Sequence, residues 1–102
     1  MTRLTQPARL IELAAEPPTS YPLAVDIFTI GRSPLCQLFV PHSIVSRLHA
    51  KVERTGAQYL LADIGSANGT FLNGRRLDKP HLLMDGDLIG LGSAAPILRF
   101  EA

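Results

Sequence analysis

The apolar residues of this chain fall in short runs, each stopped by Gly, Pro or an Asx residue, and this punctuation limits the fold more than any other feature. Residues 8–13 form one run, closed by Glu16-Pro17-Pro18. Residues 23–30 form the next, closed by Gly31, and residues 37–40 a third, closed by Pro41. In residues 48–53, Leu48, Ala50 and Val52 alternate with His49, Lys51 and Glu53, the period of a strand buried on one face. Further runs at 58–63, 70–72, 75–77, 82–84, 87–91 and 97–100 complete the series. Between two of them stands Asn73-Gly74, a strong hairpin signal because a type I′ turn needs positive φ at both central residues. Only residues 9–15 could pass for a helix, and Pro17-Pro18 would end it after two turns. Many short strands broken by Gly and Pro predict an all-β sandwich or barrel.

A length of 102 residues suits one domain, and 46% hydrophobic residues suffice for a packed core. The net charge of +1, with no basic run longer than Arg75-Arg76, argues against a general nucleic-acid binder. A single cysteine, Cys36, makes no internal disulfide and reads as a buried small hydrophobe in a reducing compartment. No stretch is apolar enough to span a bilayer, and residues 1–10 lack the apolar core of a signal peptide. These features predict a soluble, cytoplasmic monomer of one domain, residues 1–102, compatible with a module carried in a longer protein.

Polar clusters sit where the runs end: Gly31-Arg32-Ser33, Ser46-Arg47-Leu48-His49, Asp63-Ile64-Gly65-Ser66-Ala67-Asn68-Gly69-Thr70, and Asn73-Gly74. On a rigid β scaffold, function usually resides in such loops. The first three supply Arg32, Ser46, Arg47, Ser66 and Asn68, all hydrogen-bond donors. A phosphate dianion needs donors of this kind, and Arg matches it with two parallel N–H···O bonds. Brought together at one end of a sandwich, the three loops would form a small anion pocket.

In this order and spacing, these clusters resemble the forkhead-associated (FHA) family, and the Asp85-Gly86-Asp87 segment resembles that family's late strands. The resemblance spans about residues 9–100, the expected core. It implies a SMAD/FHA β-sandwich of about eleven strands with the ligand loops at one end. It also implies phosphothreonine recognition in partner proteins, no catalysis and no cofactor. By resemblance, Arg32 pairs with the phosphate and Ser46 donates its hydroxyl to it. Arg47 adds a second cationic contact, and Asn68 bonds the peptide backbone. Ser66 and Ala67 complete the ligand loop, while Gly31, His49, Gly69, Asn73 and Gly74 are structural, His49 bracing the loops from behind. The sequence departs from the family at two points. Ala67 stands where many members have Ser or Thr, which removes one hydroxyl. Pro41-His42 stands where an acidic residue is common.

Plainer readings accompany each of these. Arg32 and Arg47 could be solvated surface arginines. Ser46 and Ser66 could cap or fasten loops, and Asn68-Gly69 could be only a tight turn. A phospho-independent interaction or self-association domain is the alternative function. A hydrolase triad from Ser46, His49 and Asp63 is disfavoured, because a Ser and His three apart at a strand start seldom reach each other and no Gly-x-Ser-x-Gly elbow exists. The spacing of Cys36, His42, His49 and His81 fits no usual zinc site, and no nucleotide-binding Gly-x-x-x-x-Gly-Lys loop is present.

Overall fold

The structure, a computed structural model, describes residues 7–102. Most of the segment read as lacking a signal peptide therefore lies outside the described residues. Eleven strands form: β1 (Arg9–Glu12), β2 (Thr19–Pro22), β3 (Ile27–Gly31), β4 (Leu38–Phe39), β5 (Ala50–Thr55) and β6 (Gln58–Asp63), then β7 (Thr70–Leu72), β8 (Arg75–Arg76), β9 (His81–Leu82), β10 (Leu88–Leu91) and β11 (Leu98–Glu101). They pair into a six-stranded sheet, β2-β1-β11-β10-β7-β8, and a five-stranded sheet, β4-β3-β5-β6-β9. This is the expected all-β sandwich. Among the described residues no helix is long and apolar enough to cross a membrane.

Alternation along the strands builds the core. Leu10, Ile89, Leu91, Leu98 and Phe100 point inward from the larger sheet; Phe28, Ile30, Leu38, Val52 and Leu61 point inward from the smaller one. Burying such side chains stabilises a fold by about 1.5–3 kcal/mol each relative to exposure. Tyr59 of β6 packs against Phe100 of β11 with ring centroids 5.5 Å apart, and its hydroxyl accepts the Ala8 N–H at 3.2 Å. One aromatic side chain thus ties the two sheets together.

Both two-residue hairpins follow from turn chemistry. β5 and β6 meet through Gly56-Ala57, with Gly56 at φ 63°. β7 and β8 meet through Asn73-Gly74, at φ 52° and 84°, the two positive angles that a type I′ turn requires. The side chain of Asn73 then bridges to the start of β10. Its Nδ2 donates to Asp87 Oδ1 at 3.0 Å and its Oδ1 accepts the Leu88 N–H at 3.0 Å.

The run at residues 8–13 contributes β1, which pairs with β2 on one side and β11 on the other, in keeping with the all-β reading. The structure corrects the sequence reading in two places. The run at 23–30 is not one strand. β2 forms earlier, from the mostly exposed Thr19–Pro22, and β3 begins only at Ile27. An edge strand has no second neighbour to impose apolar alternation, so β2 left little trace in the sequence. Finally, Leu48 is 56% exposed and His49 is fully buried, the reverse of the alternation read there. β5 starts only at Ala50, so the period of a strand does not govern those two residues.

Candidate functional site

Residues Ile30, Ala50 and Asp63 lie side by side across β3, β5 and β6, so the end of β3, the start of β5 and the end of β6 share one end of the smaller sheet. The loops leaving that end, residues 32–37, 40–49 and 64–69, are fastened to one another by hydrogen bonds. Ser46 O accepts the Arg32 N–H at 2.9 Å, and Arg47 O accepts the Ser33 N–H at 3.1 Å. Ser46 Oγ accepts the Ala67 N–H at 2.9 Å, and Ile44 O accepts Asn68 Nδ2 at 2.9 Å. The convergence that the sequence could only require is therefore present.

Gly31 permits the first of these contacts. A Cβ there would overlap the Arg47 carbonyl oxygen and lie 2.9 Å from the Arg47 carbonyl carbon and 3.0 Å from Ser46 O. Its structural role is close approach of two backbones. Gly69, at φ 90°, does turn the chain.

His49 is the pin behind the loops. Its Nδ1 accepts the Ser46 N–H at 3.0 Å, so the ring proton resides on Nε2, which donates to Gly69 O at 2.7 Å. With both nitrogens engaged by backbone, His49 has none left to take a proton from Ser46 Oγ, and the Ser46-His49-Asp63 triad is not assembled. We predict that His49→Ala lowers stability by about 2–5 kcal/mol, since it strands an N–H and a carbonyl and leaves a cavity. Urea denaturation with an unchanged midpoint would refute this.

The ligand candidates differ in what they have free. Arg32 is exposed; its Nε donates to Val45 O at 2.9 Å, leaving its terminal nitrogens open. Arg47 is exposed, and among the described residues its guanidinium makes no hydrogen bond. Among the described residues neither arginine pairs with a carboxylate. The Ser46 oxygen accepts the Ala67 N–H, and among the described residues its own proton has no acceptor. Asn68 keeps Oδ1 open. Ser66 is different: its hydroxyl donates to Asp63 Oδ1 and accepts the Gly69 N–H at 2.9 Å, the loop-fastening alternative. Ala67 offers the loop its backbone N–H and no hydroxyl.

Asp63 is the site residue the sequence reading undervalued. Its carboxylate gathers Gly65 N–H and Ser66 N–H at 3.1 Å each, Thr70 Oγ1 at 2.7 Å, and the Ser66 hydroxyl. An Asp followed two residues later by Gly and then Ser is the signature of such an Asx turn. Partial burial pulls its pKa up, but the hydrogen bonds from Ser66, Thr70 and the Ser66 and Gly65 amides outweigh it, leaving the pKa below the ordinary 3.8. A carboxylate with a depressed folded pKa contributes stability that is complete above its unfolded value and disappears as pH falls through the folded value. We therefore expect wild type to lose stability as pH drops below about 3.8 toward that lower value, and Asp63→Asn to lose less over the same interval. Identical acid profiles for the two would contradict this.

The fold and site together define a loop-presenting β-sandwich with two carboxylate-free arginines and an available serine hydroxyl at one end. The family model described as FHA domain matches residues 28–92, and the chain belongs to this family. It is 42% identical over 62 residues to the oxoglutarate dehydrogenase inhibitor of Corynebacterium jeikeium, an alignment covering 61% of this chain and 42% of that protein. The chain thus spans under half the length of this curated relative. Its fold matches Mycobacterium tuberculosis EmbR, solved in complex with a low-affinity phosphopeptide, with TM-score 0.83 and 30% identity over 92% of this chain and 24% of that one. A structure from an analysis of phosphothreonine-dependent FHA domain interactions matches with TM-score 0.82 and 30% identity, covering 96% and 97% of the two chains.

Proposed function

We propose that the chain is a phosphothreonine-dependent protein–protein interaction module that binds phosphorylated peptide segments in signalling. The observation that carries the proposal is that Arg32, Ser46 and Arg47, the donors a phosphate needs, belong to one hydrogen-bonded loop cluster and, among the described residues, have no carboxylate to neutralise them. The terminal nitrogens of Arg32 would clamp two phosphate oxygens. Ser46 would donate its free proton, and Arg47 would supply a second positive charge. Asn68 Oδ1 would accept a peptide N–H and so fix the direction of the bound segment. Ser66, Asp63, Gly31, His49 and Gly69 would hold this arrangement from behind, and Asn73-Gly74 would anchor the adjoining hairpin.

On this reading residues 1–102 form one monomeric, cytoplasmic module without catalytic activity or cofactor. Hydrogen bonds to a charged group contribute about 1.5–3 kcal/mol each. Two or three of them, less ordering and desolvation costs, give a Kd around micromolar. The residues flanking the loop cluster include exposed Leu35 and half-exposed Ile44, which favour an apolar peptide residue C-terminal to the phosphothreonine.

Fluorescence anisotropy with a degenerate phosphothreonine peptide pool, beside its phosphoserine and unphosphorylated counterparts, tests the proposal. Saturable binding to the phosphothreonine pool alone is expected. Equal binding of the unphosphorylated pool would overturn it in favour of a phosphate-independent interaction domain.

A further inference from the structure

The β7–β8 hairpin and the segment after it enclose a groove of about 290 Å³ that the candidate site does not use. Arg75, Arg76 and Lys79 line it, with Asp78 as its one carboxylate and His81 and Asn73 at its margin. Among the described residues none of the three cations forms a salt bridge. Edge strands commonly carry charge to discourage sheet pairing, and β8 is an edge strand. Arg76 does more than that. Its guanidinium stem covers the open face of Gly69: a Cβ on that glycine would lie 2.6 Å from Arg76 Nε. Arg76 thus reaches from the groove to the residue next to Asn68, at the edge of the loop cluster. The hairpin is also held rigidly, by its type I′ turn and the Asn73 bonds to Asp87 and Leu88.

We propose that this groove binds an anionic side chain of the same peptide, flanking its phosphothreonine, and so selects acidic or multiply phosphorylated partners. The inference rests on the function proposed above. A peptide is favoured as the source of the anion because Arg76, which lines the groove, also lies against Gly69 of the loop cluster. Carboxylate and phosphate share the necessary chemistry, and three cations against one carboxylate leave the groove with charge to satisfy.

The test uses phosphothreonine peptides with neutral flanks, with a glutamate walked along each flank, and with a second phosphothreonine walked likewise. Wild type and an Arg75→Ala/Lys79→Ala variant, which spares the Gly69 contact, are compared by anisotropy. We expect at least one acidic register to bind wild type about 5- to 10-fold tighter than the neutral peptide, with the gain falling as salt rises. The variant keeps its affinity for the neutral-flank peptide and loses the gain; Arg76→Ala loses the gain as well. A larger gain from phosphate than from glutamate identifies a second phosphorylated residue as the preferred anion, and equal gains identify general acidity. If the acidic and neutral peptides bind wild type equally, or the gain survives in the variants, the groove is not the reader, while the proposed function stands. A short DNA oligonucleotide competing as well as the acidic peptide would overturn the inference in favour of a general polyanion surface. Failure of every phosphopeptide to bind would remove the proposed function and this inference together.

Discussion

Arg32→Ala is expected to weaken phosphothreonine-peptide binding by about 100-fold or more while the domain stays folded. Arg32 would supply two parallel charge-assisted bonds to the phosphate, and losing both costs about 3 kcal/mol or more. What the variant loses in the free protein is small by comparison. The side chain is exposed, and its one internal bond, from Nε to Val45 O, contributes about 0.5–1.5 kcal/mol. Thermal unfolding should therefore shift by no more than about 12 °C. Arg32→Lys sharpens the test. Lysine keeps the charge but not the planar fork, so it should fall between wild type and alanine. Anisotropy titrations of the three proteins against one phosphopeptide give the ordering. Undiminished binding by Arg32→Ala would place the phosphate elsewhere or eliminate it from recognition.

Gly31→Ala should do the opposite, damaging the fold first and binding as a consequence. The added methyl meets the backbone of Arg47 and Ser46, which cannot rotate away as a side chain could. Either the Arg32–Ser46 and Ser33–Arg47 bonds break or the loop 40–49 is displaced. Overpacking of this kind costs about 3 kcal/mol or more when rigid atoms are involved. In a domain of this size that lowers Tm by about 12–24 °C. Gly65→Ala is the matched control. Gly65 has positive φ but nothing within 4 Å of its Cβ position, so it bears conformational strain alone, about 1–2 kcal/mol. Similar melting temperatures for the two variants would show that the backbone approach at Gly31 is not what constrains it.

Both predictions concern residues that stood out in the sequence, though for reasons of unequal quality. Arg32 was legible as a donor because it follows an apolar run and stands in series with the other donor clusters, which a solvated surface arginine need not do. Gly31 was legible as a glycine that matters, but not as one demanded by the carbonyl of residue 47. That carbonyl comes from a different loop, and no local pattern announces it. His49 shows the same limit: strand alternation put it on the exposed face, whereas its ring is buried and bonded at both ends. Asp63 was visible as an acid, and its Asx turn was encoded locally in the Gly65-Ser66 that follow. Arg76 lay in a dipeptide that composition alone treats as ordinary surface charge.

The sequence by itself determined the class of fold and the positions of most strands. Those depend on short-range physics: alternation of apolar residues, the positive φ of Asn73 and Gly74, and the refusal of proline to continue a helix. It also determined which side chains with phosphate-binding chemistry the chain possesses. Only the tertiary structure decided which of these have atoms left to offer. Ser46 is positioned by a bond that uses only a lone pair of its oxygen, accepting the N–H of Ala67 twenty-one residues on. Ser66 commits its proton to a hydrogen bond with Asp63, and Arg76 comes to rest on Gly69. A hydrogen bond engages a particular lone pair or proton, and which one is engaged depends on partners that sequence separation hides and folding brings within 3 Å.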